Sequence, residues 1–460
     1  MPHPFSRLRA FKAATPHSAC MTELRVTRVR WLLVGWIFVL SAISYLDRVN
    51  ISIAGSSIAA EFKLSTVQLG TVFTAFLVGY AMFQTAGGWI ADRLGPRRVL
   101  AAAVLWWGVF TGLTAFVSAK LTFALAALIG VRFLLGAGEA IMFPASNLFV
   151  SRWIPAQEQG VANGIVFAGV GAGAGVTPAL IAYVMVHYGW RWSFWLTALL
   201  GLLAGLVWYL IARDTPEEHP LVSPGELAYI RAGAAKPNTA NTMKETVGWS
   251  AILRSKEVWA ITLAYFSFGY VAWIFFSWFF IYLAKVRGLD LKASAFYTTL
   301  PFLAMATCSP LGGAISDWLS LRFGQRLGRC GISVFGLLLA SLFLVLGAGA
   351  SNARVASIVL AGGAGALYLS QSSFWALTAG IARGSSGSVS GFMNTGGQLG
   401  GMLTAQLTPI IALRWNWTAP FHVAAAFAAL GAIAWLFVDP ARTLASAESS
   451  RHKEVAPRPS

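Results

Sequence analysis

Apolar runs of about 20 residues, the length needed to cross a bilayer as helix, recur along almost the whole chain with short polar breaks between them. They begin near Trp31, Gln68, Val99, Leu121, Val161 and Phe194, and again near Val258, Ala295, Cys330, Arg354, Val389 and Pro420. Twelve membrane helices are therefore predicted, the shallowest break being Ser351-Asn352-Ala353-Arg354 between the ninth and tenth. Between the two sets lies the longest polar interval, with Asp214-Thr215-Pro216 and Pro224-Gly225-Glu226 as turn and helix-start signals. The fold class expected is an all-α membrane protein of two pseudo-symmetric six-helix halves. Its segments are a basic tail over 1–30, a first bundle over 31–212, a connector with short surface helices over 213–257, a second bundle over 258–438 and a disordered tail over 439–460.

Internal repetition supports the division. Gly87-Gly88-Trp89-Ile90-Ala91-Asp92 matches Gly312-Gly313-Ala314-Ile315-Ser316-Asp317, and Trp190-Arg191-Trp192 matches Trp415-Asn416-Trp417 at the same offset. Gly171, Gly175 and Pro178 of the fifth run are echoed by Gly397, Gly401 and Pro409 of the eleventh. Small residues four apart let membrane helices approach closely, so these glycines read as packing positions.

Only 11% of the 460 residues are charged, far below a soluble domain. The net charge of +17 invites a polyanion partner, but its distribution is topological. Loops on the side of the termini hold 24 Lys/Arg against eight on the other side, which predicts cytoplasmic termini and no nucleic-acid partner. The three cysteines have no paired or metal-like spacing, and the first thirty residues lack the apolar core of a signal peptide. Met21 is an alternative start. No lysine follows a glycine and no His-Glu-x-x-His occurs, so neither a phosphate-cradling loop nor a zinc hydrolase site is present. No enzyme, catalytic residue or metal site is expected.

Four charges lie inside the apolar runs, all in the first half: Asp47, Arg48, Arg132 and Glu139. Such residues are costly in a bilayer and mark pathways. Tyr45 and Arg48 share a helical stripe, Asp47 points about 100° away, and Arg132 and Glu139 lie about two turns apart on one face. A guanidinium grips a carboxylate in two-pronged fashion, so Arg48 is the expected anchor of an anionic substrate. Arg132 is either a second contact or the partner of an acid. A buried carboxylate that loses its arginine to substrate favours its neutral form, so Glu139 and Asp47 are the expected proton-coupling sites. The second half offers neutral groups: Tyr270, Trp273, Gln371, Ser372, Ser373, Trp375, Asn394 and Gln398.

The stretch Gly88-Trp89-Ile90-Ala91-Asp92-Arg93-Leu94-Gly95-Pro96-Arg97-Arg98-Val99-Leu100 resembles the loop motif of the major facilitator superfamily. The stretches Tyr45-Leu46-Asp47-Arg48-Val49-Asn50 and Arg132-Phe133-Leu134-Leu135-Gly136-Ala137-Gly138-Glu139 resemble its anion:cation symporter branch. The resemblance implies alternating access. It implies a latch formed by Asp92, Arg93, Arg97 and Arg98, with a degraded second copy in which Asp317 pairs with Arg322 and Arg326. It also implies substrate contacts at Tyr80, Ser372, Ser373, Trp375 and Asn394. The fifth run departs from sugar-acid members, which carry an amide where Phe167 to Gly175 offers only small and apolar residues. The expected function is proton-coupled uptake of a sugar acid such as an aldonate, aldarate or hexuronate across a bacterial inner membrane. An aromatic-carboxylate symporter and a drug or phosphate-ester antiporter are the alternatives. A monomer is expected, without a cofactor beyond the coupling proton, sodium being left open in its place.

Overall fold

The computed structural model describes residues 26–233, 247–289, 291–442 and 444. The alternative start at Met21, most of both predicted tails and the middle of the connector lie outside the described residues.

The first half comprises α1 (Val29–Phe62), α2 (Thr66–Leu94), α3 (Pro96–Phe116), α4 (Ala124–Glu139), α5 (Met142–Trp153), α6 (Gln159–Tyr188) and α7 (Trp190–Ile211). Here α4 and α5 form one membrane crossing, broken at Ala140–Ile141. The break has a local cause. Pro144 has no N–H to give to the carbonyl four residues back, so the ladder stops at Glu139 and resumes beyond it. The connector contributes α8 (Pro224–Gly233) and α9 (Trp249–Arg254). The second half comprises α10 (Lys256–Ser277), the one-turn α11 (Phe279–Ile281), α12 (Leu291–Phe323), α13 (Ile332–Gly349), α14 (Ala353–Ala382), α15 (Ser386–Arg414) and α16 (Ala419–Leu436).

Among the described residues eleven helices are long and apolar enough to span a membrane. The twelfth crossing, α15, has the length, 29 residues, but is rich in Ser, Gly, Asn, Thr and Gln. A polar helix is tolerated there because it is surrounded by protein: α15 packs against α10, α2 and α14.

The two halves repeat each other in packing. Helix α1 packs on α6 as α10 does on α15, α2 on α4 as α12 on α14, and α3 on α7 as α13 on α16. They meet along two seams, α2 against α15 and α6 against α12. Tight turns sit at matching places, with Gly95 (φ 88°) between α2 and α3 and Gly324 (φ 86°) after α12. Both are left-handed positions open to glycine at no steric cost.

The repeated Gly-Gly-x-Ile-x-Asp motif explains the seams. In each copy the first glycine faces its own half, Gly87 against Ile141 and Gly312 against the Leu369 carbonyl. The second faces the other half, Gly88 against Gly387 and Gly313 against Gly160, backbone to backbone. Of the glycines expected to pack, Gly171 lies on Phe302 and Ala306, Gly397 on Tyr265 and Gly401 on Trp273, whereas Gly175 faces open space.

The connector is tied to the first half. The Glu226 carboxylate, fully buried on α8, accepts from Thr27 Oγ1 (2.6 Å), Val29 N (3.1 Å), Arg30 N (3.2 Å) and Arg30 Nη1 (3.0 Å). It thereby satisfies the open N–H groups at the start of α1. Arg30 reaches Glu158 as well, at 3.2 Å.

Candidate functional site

Arg48 and Glu139 form a buried ion pair at the heart of the first half, Nε to Oε1 at 2.5 Å, with 8% and 1% of the side chains exposed. Ser44, one turn before Arg48, donates to the same oxygen of Glu139. The guanidinium lies over the rings of Tyr80 (4.3 Å), Tyr45 (4.6 Å) and Phe76 (5.5 Å). Cation–π contact of this kind holds a charge in an apolar setting without neutralising it. Arg48 Nη2 and Glu139 Oε2 are buried and have no hydrogen-bond partner. Arg48 Nη1 donates to the Tyr45 hydroxyl at 3.4 Å, so Nη2 and one oxygen of Glu139 are what remains unpaired.

The other two charges lie behind this pair. Asp47 turns away toward α3, where Thr111 donates to it at 3.3 Å. Arg132, 2% exposed, also lies over the Phe76 ring at 4.9 Å, and no ion pair within 4 Å joins it to an acid among the described residues. Neither lines the central cavity.

That cavity lies between the halves. Tyr45, Tyr80, Phe143 and Phe167 line it from the first half. From the second come Tyr265, Phe268, Trp273, Phe276, Tyr368, Gln371, Asn394 and Gln398 with small residues between them. The structure thus brings Tyr45, Tyr80, Trp273, Gln371, Asn394 and Gln398 together, with Arg48 held directly behind the two tyrosines.

Other expected residues are placed elsewhere. Ser372 donates to the Ser309 carbonyl (2.7 Å) and Ser373 to Ser316 Oγ (3.1 Å), pinning α14 to α12. Trp375 stands behind the wall, in ring contact with Phe143 and Phe167, its Nε1 donating to the Tyr265 hydroxyl at 3.2 Å. Tyr270 faces outward and stacks on Phe427 of α16 at 4.2 Å. Much of the aromatic wall (Tyr265, Phe268, Tyr368, Phe143, Phe167) was not singled out by sequence. In a chain with 31 Phe and 11 Tyr only the fold separates wall from filler.

Two clasps close the seams on the side of the membrane where α1 begins. Asp92, twelve residues and about 18 Å of helix beyond Tyr80, accepts from Gly387 N (2.9 Å), Ser388 N (2.8 Å) and Ser388 Oγ (2.5 Å). Asp317 accepts from Gly160 N (3.0 Å) and Val161 N (2.7 Å). Each carboxylate caps the N-terminus of a helix in the opposite half, where open N–H groups and the helix dipole favour an anion.

Of the arginines expected to pair with neighbouring helix ends, Arg97 does so. Arg97 binds the Tyr209 carbonyl at 2.9–3.0 Å within the first half. Arg93 stacks on Trp89 at 4.0 Å and is exposed, as is Arg98. The second clasp is not degraded. Asp317 pairs neither with Arg322, which lies over Trp318, nor with Arg326, but with buried Arg329 at 2.6 Å. Arg329 also donates to the Ala156 carbonyl (3.1 Å). It was missed because it lies well beyond the end of the repeated motif at Asp317, on a wide helical turn (Arg326–Gly331) with no counterpart among the described residues of the first copy.

Two matching seams, a central cavity and a buried charge pair beside it belong to a secondary transporter rather than an enzyme. Residues 37–405 match the family model of the Major Facilitator Superfamily, and the chain belongs to that family, in its anion:cation symporter type. It is 33% identical to the probable sulfoacetate transporter SauU of Cupriavidus necator over 91% of this chain and 96% of that one. It is 32% identical to the probable galactarate/D-glucarate transporter GudP of Escherichia coli over 69% and 73%. In fold it resembles the proton:xylose symporter XylE (TM-score 0.73, 15% identity, 91% and 98% covered). It resembles FucP in its outward conformation likewise (TM-score 0.67, 15% identity, 89% and 99% covered). The protein is a multi-pass membrane transporter of a small-molecule substrate.

Proposed function

We propose that the protein is a monomeric, proton-coupled symporter that carries a small organic anion into the cytoplasm across a bacterial inner membrane. The termini are cytoplasmic, so the clasped state faces outward. The observation that carries this reading is the partly committed Arg48–Glu139 pair directly behind Tyr45 and Tyr80 of the cavity wall. An entering carboxylate takes the free edge of Arg48 and competes with Glu139 for the guanidinium. A buried carboxylate without its cation is costly, so Glu139 binds a proton as substrate binds and releases it when substrate leaves. Asp47, one residue along and turned into the bundle, is the second protonation site, and no metal or organic cofactor takes part. Relatives named for sulfoacetate and for galactarate/D-glucarate support an anionic cargo, and sugar acids remain the leading class. The aromatic wall of the cavity favours aromatic carboxylates as a second reading. An exporting antiporter is disfavoured, because it would lose rather than gain protons on substrate entry.

The test uses proteoliposomes. Glu139→Gln and Asp47→Asn should each abolish uptake driven by a pH gradient while leaving substrate counterflow in place. If both amide variants still concentrate substrate when pH alone provides the drive, the coupling assignment is wrong. Replacing protons by a sodium gradient in the same vesicles separates the two coupling ions.

A further inference from the structure

We propose that Tyr265 is a specificity-determining donor that, with Gln371, reads a neutral hydroxyl on the end of the substrate remote from its carboxylate. The inference rests on the anion-symport reading of the same cavity and narrows its cargo to hydroxy monocarboxylates.

The phenolic oxygen of Tyr265 accepts from Trp375 Nε1 at 3.2 Å and from Gln371 Nε2 at 3.0 Å. An indole N–H only donates, so Trp375 fixes the sense of its bond. With both acceptor directions filled, the Tyr265 O–H is left to donate, and the open side of the residue is the cavity it lines. The ring is fixed in that pose by parallel stacking on Phe268 (5.2 Å, 1°) and by edge contact with Phe374 (4.9 Å). Gln371, also a lining residue, keeps its Oε1 buried and without a partner. A free donor and a free acceptor therefore stand side by side on one wall.

Every second-half residue lining the cavity is uncharged. A hydroxyl matches this wall, accepting from Tyr265 while donating to Gln371. A second carboxylate or a sulfonate, which only accepts, would satisfy Tyr265 but set its charge against the Gln371 carbonyl with no cation beside it. A plain methylene would leave both protein groups unpaired, the most effective way for a site to reject an analogue. The carboxylate goes to Arg48 across the cavity and the hydroxyl to this wall.

The experiment measures dissociation constants by calorimetry on the purified full-length protein. Its probes are 4-hydroxybenzoate against benzoate, 4-hydroxybutyrate against butyrate, and the dianion D-glucarate. The hydroxylated member of at least one pair should bind about tenfold or more tighter than its partner. Tyr265→Phe should bring the two within about twofold by weakening only the hydroxylated acid. Trp375→Phe, which keeps the phenol but removes its orienting donor, should shrink the preference without abolishing it. If Tyr265→Phe lowers the ligand-free melting temperature, Gln371→Leu takes its place with the same expectation. The proposal is overturned if the variant keeps the preference, if neither pair shows one, if no monocarboxylate binds, or if D-glucarate binds tightest. Failure of the symport reading looks different. There, Arg48→Ala would still bind the acids, or their uptake would ignore pH, while the effect of Tyr265 on the hydroxyl persisted.

Discussion

Arg48 gives one edge of its guanidinium to Glu139 and keeps Nη2 unpaired behind the tyrosines of the cavity wall, and that arrangement depends on the planar fork. A lysine offers one point charge and cannot hold two carboxylates in fixed directions. Arg48→Lys should therefore weaken substrate binding about tenfold to a hundredfold, 1.4–2.8 kcal/mol, a loss that calorimetry would detect with folding intact. A second charge pair, at the far end of α1, makes a pH prediction. Hydrogen bonds from Arg191 Nη1 and Nη2 (both 2.7 Å) hold the Glu61 carboxyl below its usual range. A depressed carboxyl stabilises the fold above the unfolded value of about 4.3 and loses that contribution as pH falls through the folded one. With more than a third of Glu61 exposed, solvent screening keeps the effect below about 1 kcal/mol. Melting curves of wild type and Glu61→Gln should differ slightly near about pH 6 and merge in acid. At this scale the sequence named the four buried charges and the direction of Asp47, because helical geometry relates neighbours on one helix. It did not reveal Ser44 against Glu139 or Tyr265 beneath Trp375, because those contacts join helices far apart in the chain.

The helices were legible wherever apolar length decided them, and the repeated glycine–aspartate motif marked the duplication and the latch positions. What the motif could not disclose was the use of each glycine. Gly88 and Gly313 meet the opposite backbone directly, so a methyl group there has no flexible side chain to displace. Gly88→Ala and Gly313→Ala should each loosen one clasp while leaving the halves folded. In a cysteine-free background, a cysteine at Thr395, which bonds Thr85 across the seam at 2.9 Å, should then react faster with a thiol reagent from the side of the termini. Equal rates in variants and parent would deny the glycines that role. Pro144 was in the sequence as a residue but its consequence was not: the break at Ala140–Ile141 ends α4 at Glu139.

Across the whole molecule the two clasps act in parallel, each a carboxylate on the first turn of a helix from the other half. Asp92→Asn and Asp317→Asn together should shift the population away from the clasped state. Spin labels at exposed Leu94 and Leu327 would read this as a longer distance, whereas either single change should shift it less. The charge arrangement bears on electrical behaviour. Two guanidiniums and two carboxylates, Arg48, Arg132, Asp47 and Glu139, balance within the membrane when the carrier is empty and ionised. A monovalent cargo accompanied by one hydrogen ion keeps that balance, and a second hydrogen ion leaves one positive charge to cross. Moving one charge through 100 mV is worth about 2.3 kcal/mol, close to fiftyfold in an equilibrium. Voltage-clamped vesicles would thus count the ions: accumulation indifferent to the applied potential means one, and steep dependence means two.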